Sequence, residues 1–312
     1  MKLAQAAAEY VALKQAMGMR FGTEARTLKA FCRAMGDVAM TDVQAERVEA
    51  FLAGRGPVTR FWHRKQEVLV GFYRFALARG YALQVPLPRR VPKAAQAFVP
   101  YIYSPEEVRR LLDAVAPSDT ARGLVEAATW RTLILLLYGA GLRISEALAL
   151  TRADVDLGSG VLSIHASKFY KTRLVPLGPQ LTRALSAYAT RRGKPPPGGP
   201  QAPFFATRTG KALTRRAAEY TFDRLRRHAG VQRSDGGRYQ PRLHDLRHAF
   251  AVGRLVSWYR QGADVQRLLP HLATYLGHVH LAATQHYLTL TPELLQQASQ
   301  RFEAYAGELA HG

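Results

Sequence analysis

Three prolines in seven residues divide this chain. The stretch Val85-Pro86-Leu87-Pro88-Arg89-Arg90-Val91-Pro92-Lys93 interrupts a sequence patterned almost everywhere for helices. Proline fixes φ near −65° and removes a backbone donor, so neither a helix nor a central strand runs through such a segment. The chain is therefore expected to fold as two units, 1–84 and 101–312, joined by a basic linker over 85–100 that serves as an extended strap or as a plain spacer.

On the N-terminal side, apolar residues recur at helical spacing in Tyr10, Val11, Leu13 and Met17, and again in Leu28, Phe31, Cys32 and Met35. Thr41 followed by Gln44 offers a capping box for a helix through Val48, Phe51 and Leu52. Gly54-Arg55-Gly56-Pro57 breaks the chain, and Trp62, Leu69, Phe72, Tyr73 and Phe75 give an apolar face to a long helix over about 59–79.

The second unit opens on Ser104-Pro105-Glu106-Glu107, an N-cap, a proline at the first helical position and a carboxylate at the third. Helices are expected to about 115 and over 124–138. The period then changes. Val155-Asp156-Leu157, Val161-Leu162-Ser163-Ile164-His165 and Arg173-Leu174-Val175-Pro176-Leu177 read as three short strands, with Gly158-Ser159-Gly160 in the first turn and Phe169-Tyr170 in the second. Helices resume over about 179–192, 214–229, 244–261 and 264–276, and short helical pieces cover 282–288 and 292–306. The fold class is mainly α with a small antiparallel sheet.

Charge narrows the function. Forty-four Lys and Arg face 23 Asp and Glu, a formal +21, and both units share the excess: +6 over 1–83 and +15 over 89–312. Such a chain seeks a polyanion, nucleic acid or an acidic membrane surface. One cysteine, Cys32, can form neither an internal disulfide nor a cysteine zinc site. The longest apolar run, within 132–142, is far short of the ~20 residues of a membrane span. Glu9 stands where a signal peptide would be apolar. The expectation is a soluble, cytosolic, basic protein with no membrane partner.

Four segments carry candidate chemistry. Gly139-Ala140-Gly141-Leu142-Arg143-Ile144-Ser145-Glu146 turns tightly into a helix whose first turn carries Arg143. Arg143 could present its planar fork to a phosphate while Glu146 steadies it, or the two could form an ordinary i,i+3 ion pair. Lys168 sits in the turn between two strands with Lys171 and Arg173 close behind, a set able to reach a groove or simply to remain solvated. In His244-Asp245-Leu246-Arg247-His248, His244 and Arg247 share a helix face, suited to moving a proton and holding an anion. His244 and His248 also have the i,i+4 spacing of a metal pair, which the absence of a nearby acidic or cysteine cluster disfavours. Finally, Leu276-Gly277-His278 ends a helix and Tyr287 follows nine residues after His278; singly, Tyr287 reads as a half-buried core tyrosine.

Together, two arginines, a lysine and two histidines can surround one phosphodiester, and a tyrosine hydroxyl can attack it. Arg143 and Arg247 would hold charge developing on the non-bridging oxygens. A histidine would take the phenol proton, and Lys168 would return one to the leaving sugar hydroxyl.

The ordered set Gly141-Leu142-Arg143-Ile144-Ser145-Glu146, hairpin Lys168, His244-x-x-Arg247, Leu276-Gly277-His278 and Tyr287 resembles the tyrosine recombinases, the Xer- and phage-integrase-like family. The resemblance covers most of 101–306; residues 1–83 match only in helix content and position. It implies a helical core-binding domain and a mixed α/β catalytic domain closing around double-stranded DNA with paired binding sites. It further implies cleavage through a 3′-phosphotyrosyl intermediate and strand exchange through a Holliday junction in a homotetramer or a hetero-oligomer of related recombinases. Neither ATP nor a metal or other cofactor is then needed.

By the same match Tyr287 is the nucleophile, Arg143 and Arg247 clamp the phosphate, Lys168 is the general acid with Lys171 its competitor, and His244 and His278 assist. Glu146 stands behind them. Lys171, Arg173, Arg89, Arg90 and Lys93 are candidate DNA contacts. The role expected is integration, excision or transposition of a mobile element by a cytoplasmic, nucleoid-associated enzyme. A catalytically silent DNA-binding accessory protein, a type IB topoisomerase and a histidine-based metal nuclease are the alternatives. Two features depart from the family: the stretch 258–275 is longer and more aromatic than expected, and His280 and His286 lie near the nucleophile without matching its motif. A C-terminal helix over 292–306 would dock on a neighbouring protomer or on its own domain.

Overall fold

The computed structural model describes residues 1–54, 58–93, 99–115, 125–165, 172–192, 199–237, 239–289, 296 and 299. The chain falls into two compact units, Met1–Phe98 and Val99–Gly312.

In the first unit, α1 (Leu3–Ala16), α2 (Gly22–Met35) and α3 (Ala45–Ala53) all pack on the long α4 (Arg60–Ala78). The apolar stripe of α4, with Trp62, Leu69, Phe72, Tyr73 and Ala76 buried, supplies the centre of the core. Thr59 caps α4 by accepting from the Phe61 N–H. Lys65 is also buried, because its ammonium donates to the Phe51 and Leu52 carbonyls at the C-terminus of α3, where the helix dipole favours a cation.

The capping box expected from Thr41 and Gln44 does not form. Thr41 lies in a 3-10 turn, Met40–Asp42, and its hydroxyl donates to the neighbouring Asp42 carboxylate. Gln44 itself occupies the N-cap position of α3. A cap at Thr41 would accept from the N–H groups of a first turn beginning at 42, but α3 begins only at Ala45.

The second unit is built around α6 (Ala127–Ala140), apolar nearly all round, with Trp130, Leu133, Ile134, Leu136, Leu137 and Ala140 buried. Such a helix has to be covered on every side; α8 (Pro179–Arg191) and α10 (Asp245–Arg260) pack on it. Before it, α5 (Pro105–Asp113) begins with the capping box read from the sequence: Ser104 Oγ accepts from Glu107 N, and the Glu107 carboxylate accepts from Ser104 N.

After the short α7 (Ile144–Ala149), strands β1 (Val155–Asp156), β2 (Val161–Ile164) and β3 (Arg173–Pro176) form an antiparallel sheet in the order β1-β2-β3, with Val155 opposite Leu162 and Ile164 opposite Arg173. The three strands fall where the change of period put them. Helices α9 (Arg215–His228), α11 (Val265–Leu276) and α12 (Ala282–Gln285), then a 3-10 turn over His286–Thr289, complete the described elements. Phe250, Leu255, Leu269, Leu272, Leu276 and Tyr287 form a second apolar cluster between α10, α11 and that turn. Of the expected tail helix over 292–306 only Gln296 and Ser299, both helical, are among the described residues, and the turn that carries Phe169-Tyr170 lies outside them.

Candidate active site

Two helix C-termini build this site. Helix α6 ends at Gly141 and α11 at Gly277, both in the left-handed conformation (φ +60° and +67°). A side chain at Gly141 would put its Cβ 2.4 Å from the Phe250 ring; one at Gly277 would lie 2.8 Å from the Arg173 guanidinium. Glycine is required at both places by conformation and by space. Ending there, the helices turn their last carbonyls, the negative ends of their dipoles, toward one point.

Arg247, on the first turn of α10, fills that point. It is 2% exposed; Nη1 donates to Gly141 O (2.6 Å) and Nη2 to Leu276 O (2.6 Å). Arg143, the residue before α7, donates from Nη2 to Gly277 O (2.9 Å) and from Nη1 to Glu146 Oε1 (2.7 Å). Glu146 in turn accepts from the Arg143 backbone N–H (3.0 Å). The carboxylate therefore holds both ends of the arginine it is expected to steady.

Arg173, expected as a DNA contact, is used inside the protein. From β3 it forms a two-pronged pair with Glu146, Nη1 to Oε1 at 3.0 Å and Nη2 to Oε2 at 2.8 Å, and its Nε donates to Tyr275 O (3.0 Å). Its side chain is only 10% exposed. Burial would raise the Glu146 pKa, but hydrogen bonds from Arg173 and Arg143 outweigh it and hold the carboxyl down at about 2. Three guanidinium groups against one carboxylate leave two positive charges, a site poised for an anion. The Arg247 pKa is lowered to about 10 by burial and by the neighbouring Arg143.

Tyr287, in the 3-10 turn after α12, is 3% exposed. Its hydroxyl is 3.1 Å from His248 Nδ1, with the Arg247 guanidinium close enough to favour the phenolate. Burial raises the phenol pKa, while Arg247 and Arg143 oppose the rise. The His278 ring stacks beside the Tyr287 ring with centroids 6.1 Å apart, its Nδ1 2.7 Å from Thr284 Oγ1. His244 sits at the N-cap of α10, its ring 5.0 Å from that of His248. Burial, with Arg247 nearby, lowers the pKa of His244 and of His278 to about 4. Burial and then His244 and Arg247 lower that of His248 to about 3. All three imidazoles are neutral at pH 7.

The structure thus gathers Arg143, Glu146, His244, Arg247, His278 and Tyr287 around one point. Lys168 and Lys171 lie outside the described residues. Arg89, Arg90 and Lys93 are exposed in an irregular segment of the first unit. The sequence marks His248 only as a metal partner for His244; among the described residues no group of three or more His, Cys, Asp or Glu is placed to hold a metal. The signal for His248 is its place immediately after Arg247, but the sequence does not reveal an interaction made 39 residues away. The aromatic stretch 258–275 packs internally: Trp258 and Tyr259 lie against the second cluster. Tyr275 stacks on Phe250, and its hydroxyl donates to Pro176 O of β3. Chemically, the arrangement can hold a singly charged phosphodiester between two arginines and present a buried phenol to it.

Comparison with known proteins points to one family. The model of the phage integrase family matches residues 103–293. A protein of Sinorhizobium fredii named as a putative integrase/recombinase, y4rE, is 37% identical over 297 residues, 94% of this chain and 93% of the relative. The tyrosine recombinase XerD of Caulobacter vibrioides is 34% identical over 268 residues, 83% of this chain and 81% of its own. Among solved structures, the Tn1549 transposon integrase in complex with a circular intermediate DNA aligns with TM-score 0.70 at 16% identity, covering 97% of this chain and 99% of that one. A lambda integrase dimer bound to a core site gives 0.66 at 17% identity, covering 93% and 78%. At such identities the structures share a fold.

Proposed function

The chain belongs to the phage integrase family of tyrosine recombinases, enzymes of DNA cleavage and strand transfer, and from that premise we propose that it recombines specific DNA sites through a 3′-phosphotyrosyl intermediate. The observation that carries this reading is the buried Tyr287 hydroxyl at His248 and beside Arg247, with Arg143 and Arg247 both bonded to the carbonyls that end α11.

The scissile phosphate lies between Arg143 and Arg247, whose donors face the charge that grows on its non-bridging oxygens. Tyr287 Oη attacks phosphorus, the P–O5′ bond breaks, and its electron pair leaves on the sugar oxygen. Lys168 protonates that oxygen, with Lys171 the competing donor. His244 and His278 line the phosphate and hold its orientation. The new ester keeps the phosphodiester's free energy, so a second 5′-hydroxyl can reverse the step on another strand. Glu146 fixes Arg143 from behind.

The first unit, with the strap carrying Arg89, Arg90 and Lys93, grips the duplex together with the catalytic unit, and four protomers act together on paired sites. The relatives support a role in moving or resolving a DNA element: y4rE is named as an integrase/recombinase and the Tn1549 protein is a transposon integrase.

Incubation with a nicked duplex carrying the binding site, selected from a random-sequence pool by this protein, should trap a covalent protein–DNA adduct. Tyr287→Phe should form none. An adduct formed by that variant would refute the assignment.

A further inference from the structure

We propose that His248 is the group that takes the proton from Tyr287, with Asp245 behind it, in a hydroxyl–imidazole–carboxylate relay laid along the first turn of α10. The inference rests on the reading of Tyr287 as nucleophile and adds a catalytic residue to it.

The geometry is specific to His248. Its Nδ1 is 3.1 Å from the Tyr287 hydroxyl, and its Nε2 is 3.9 Å from Asp245 Oδ1. Asp245 and His248 are three residues apart and share a helix face. The Asp245 carboxylate is 1% exposed and is fixed by Arg242, whose backbone N–H and Nη2 donate to it at 2.8 and 3.0 Å. A carboxylate on the Nε2 side favours the tautomer with its proton on Nε2, which leaves the Nδ1 lone pair facing the phenol.

The other two histidines are placed for different work. The Nδ1 of His278 is engaged with the Thr284 hydroxyl, and its ring lies alongside the tyrosine ring. His244 meets His248 edge-on at the helix start.

The step balances within the named groups. A lone pair of Tyr287 Oη forms the bond to phosphorus as the Oη–H proton passes to His248 Nδ1, giving an imidazolium. The P–O5′ pair departs with the sugar oxygen, which takes its proton from the general acid. On resealing the imidazolium returns its proton to Tyr287 Oη. Burial, then His244, Arg247, Arg242 and His286, lower the His248 pKa and leave the ring neutral and its lone pair free in the resting site, and the Asp245 carboxylate, 3.9 Å from Nε2, is the nearby anion that would stabilise the imidazolium. The phosphodiester itself offsets the field of Arg143 and Arg247 when it binds, which makes the imidazolium easier to form.

Two variants of the full-length protein test this on the nicked duplex described above. His248→Asn keeps a short polar side chain at the position but cannot carry a proton; His248→Ala removes both functions. Both should bind the duplex as the wild type does and form adduct about 10²–10⁴-fold more slowly, the range of a lost general base. Their rates should rise steeply with pH as hydroxide replaces the missing acceptor, a response that a packing role would not give. A duplex with sulfur at the bridging 5′ position, whose leaving group needs no proton, should relieve Lys168→Ala and leave both His248 variants slow.

Adduct formation near the wild-type rate in either variant overturns the relay, as does relief by the sulfur substrate. Loss of DNA binding in both variants also overturns it, by making His248 a structural residue. Adduct formation by Tyr287→Phe instead overturns the nucleophile assignment beneath it.

Discussion

Arg247 shows how much of the site is settled by single side chains. Its guanidinium satisfies two buried carbonyls from helices far apart in sequence. Arg247→Ala removes both bonds and, on the proposed mechanism, a phosphate donor. It should lower stability by about 2–4 kcal/mol, seen in the denaturant midpoint, and slow adduct formation about 10²–10³-fold.

The histidines give a pH signature. His244, His248 and His278 are depressed from 6.5 to about 4, 3 and 4, so below pH 6.5 the unfolded chain binds protons that the folded chain refuses. Stability is therefore lost as pH falls from about 6.5 toward 4, by about 1.4 kcal/mol per unit for each histidine. Glu146 adds a further loss between its ordinary 4.5 and about 2, as its pairing with the arginines is protonated away. Melting temperatures across pH 4–7.5 should show this fall, and His278→Gln should lessen it by about a third. The arginines, the tyrosine and two of the histidines are legible in the sequence because each sits beside a glycine, a helix start or a fixed spacing. The role of His248 and the internal use of Arg173 are not, because periodicity reports neighbours within one helical turn and both residues work across the fold.

Among the elements, the ends matter more than the interiors. Helices α6 and α11 are positioned by their left-handed glycines, and β3 is tied to α11 by Arg173 at the Tyr275 carbonyl and by the Tyr275 hydroxyl at Pro176. Gly141→Ala meets a strained φ and the Phe250 ring together. It should cost about 2–4 kcal/mol, as a lowered urea midpoint at unchanged slope. Glu146→Ala leaves Arg143 and Arg173 without their shared carboxylate and should cost about 3–5 kcal/mol, the range of a broken buried pair. The three strands, the Ser104 cap and the long α4 can be read from the sequence because local patterning decides them. The Thr41 region cannot: the capping motif is present, but the helix begins at Ala45, with Gln44 at its N-cap.

For the whole molecule, +21 spread over both units is the property a duplex would meet first. Binding should weaken steeply with salt. Replacing Arg89, Arg90 and Lys93 by Ala should reduce the log–log salt slope by up to about 0.9 for each phosphate that is no longer neutralised, and the cleavage rate of the bound complex should stay the same. The central claim, however, is that residues scattered from 143 to 287 act on one phosphorus atom, and it is tested most directly by mapping the trapped adduct. After nuclease and protease digestion, mass spectrometry should find the residual 3′-phosphonucleotide on the peptide containing Tyr287, attached to that residue. The same mass on any other side chain, or no covalent nucleotide on a protein that nevertheless joins DNA, would contradict the account.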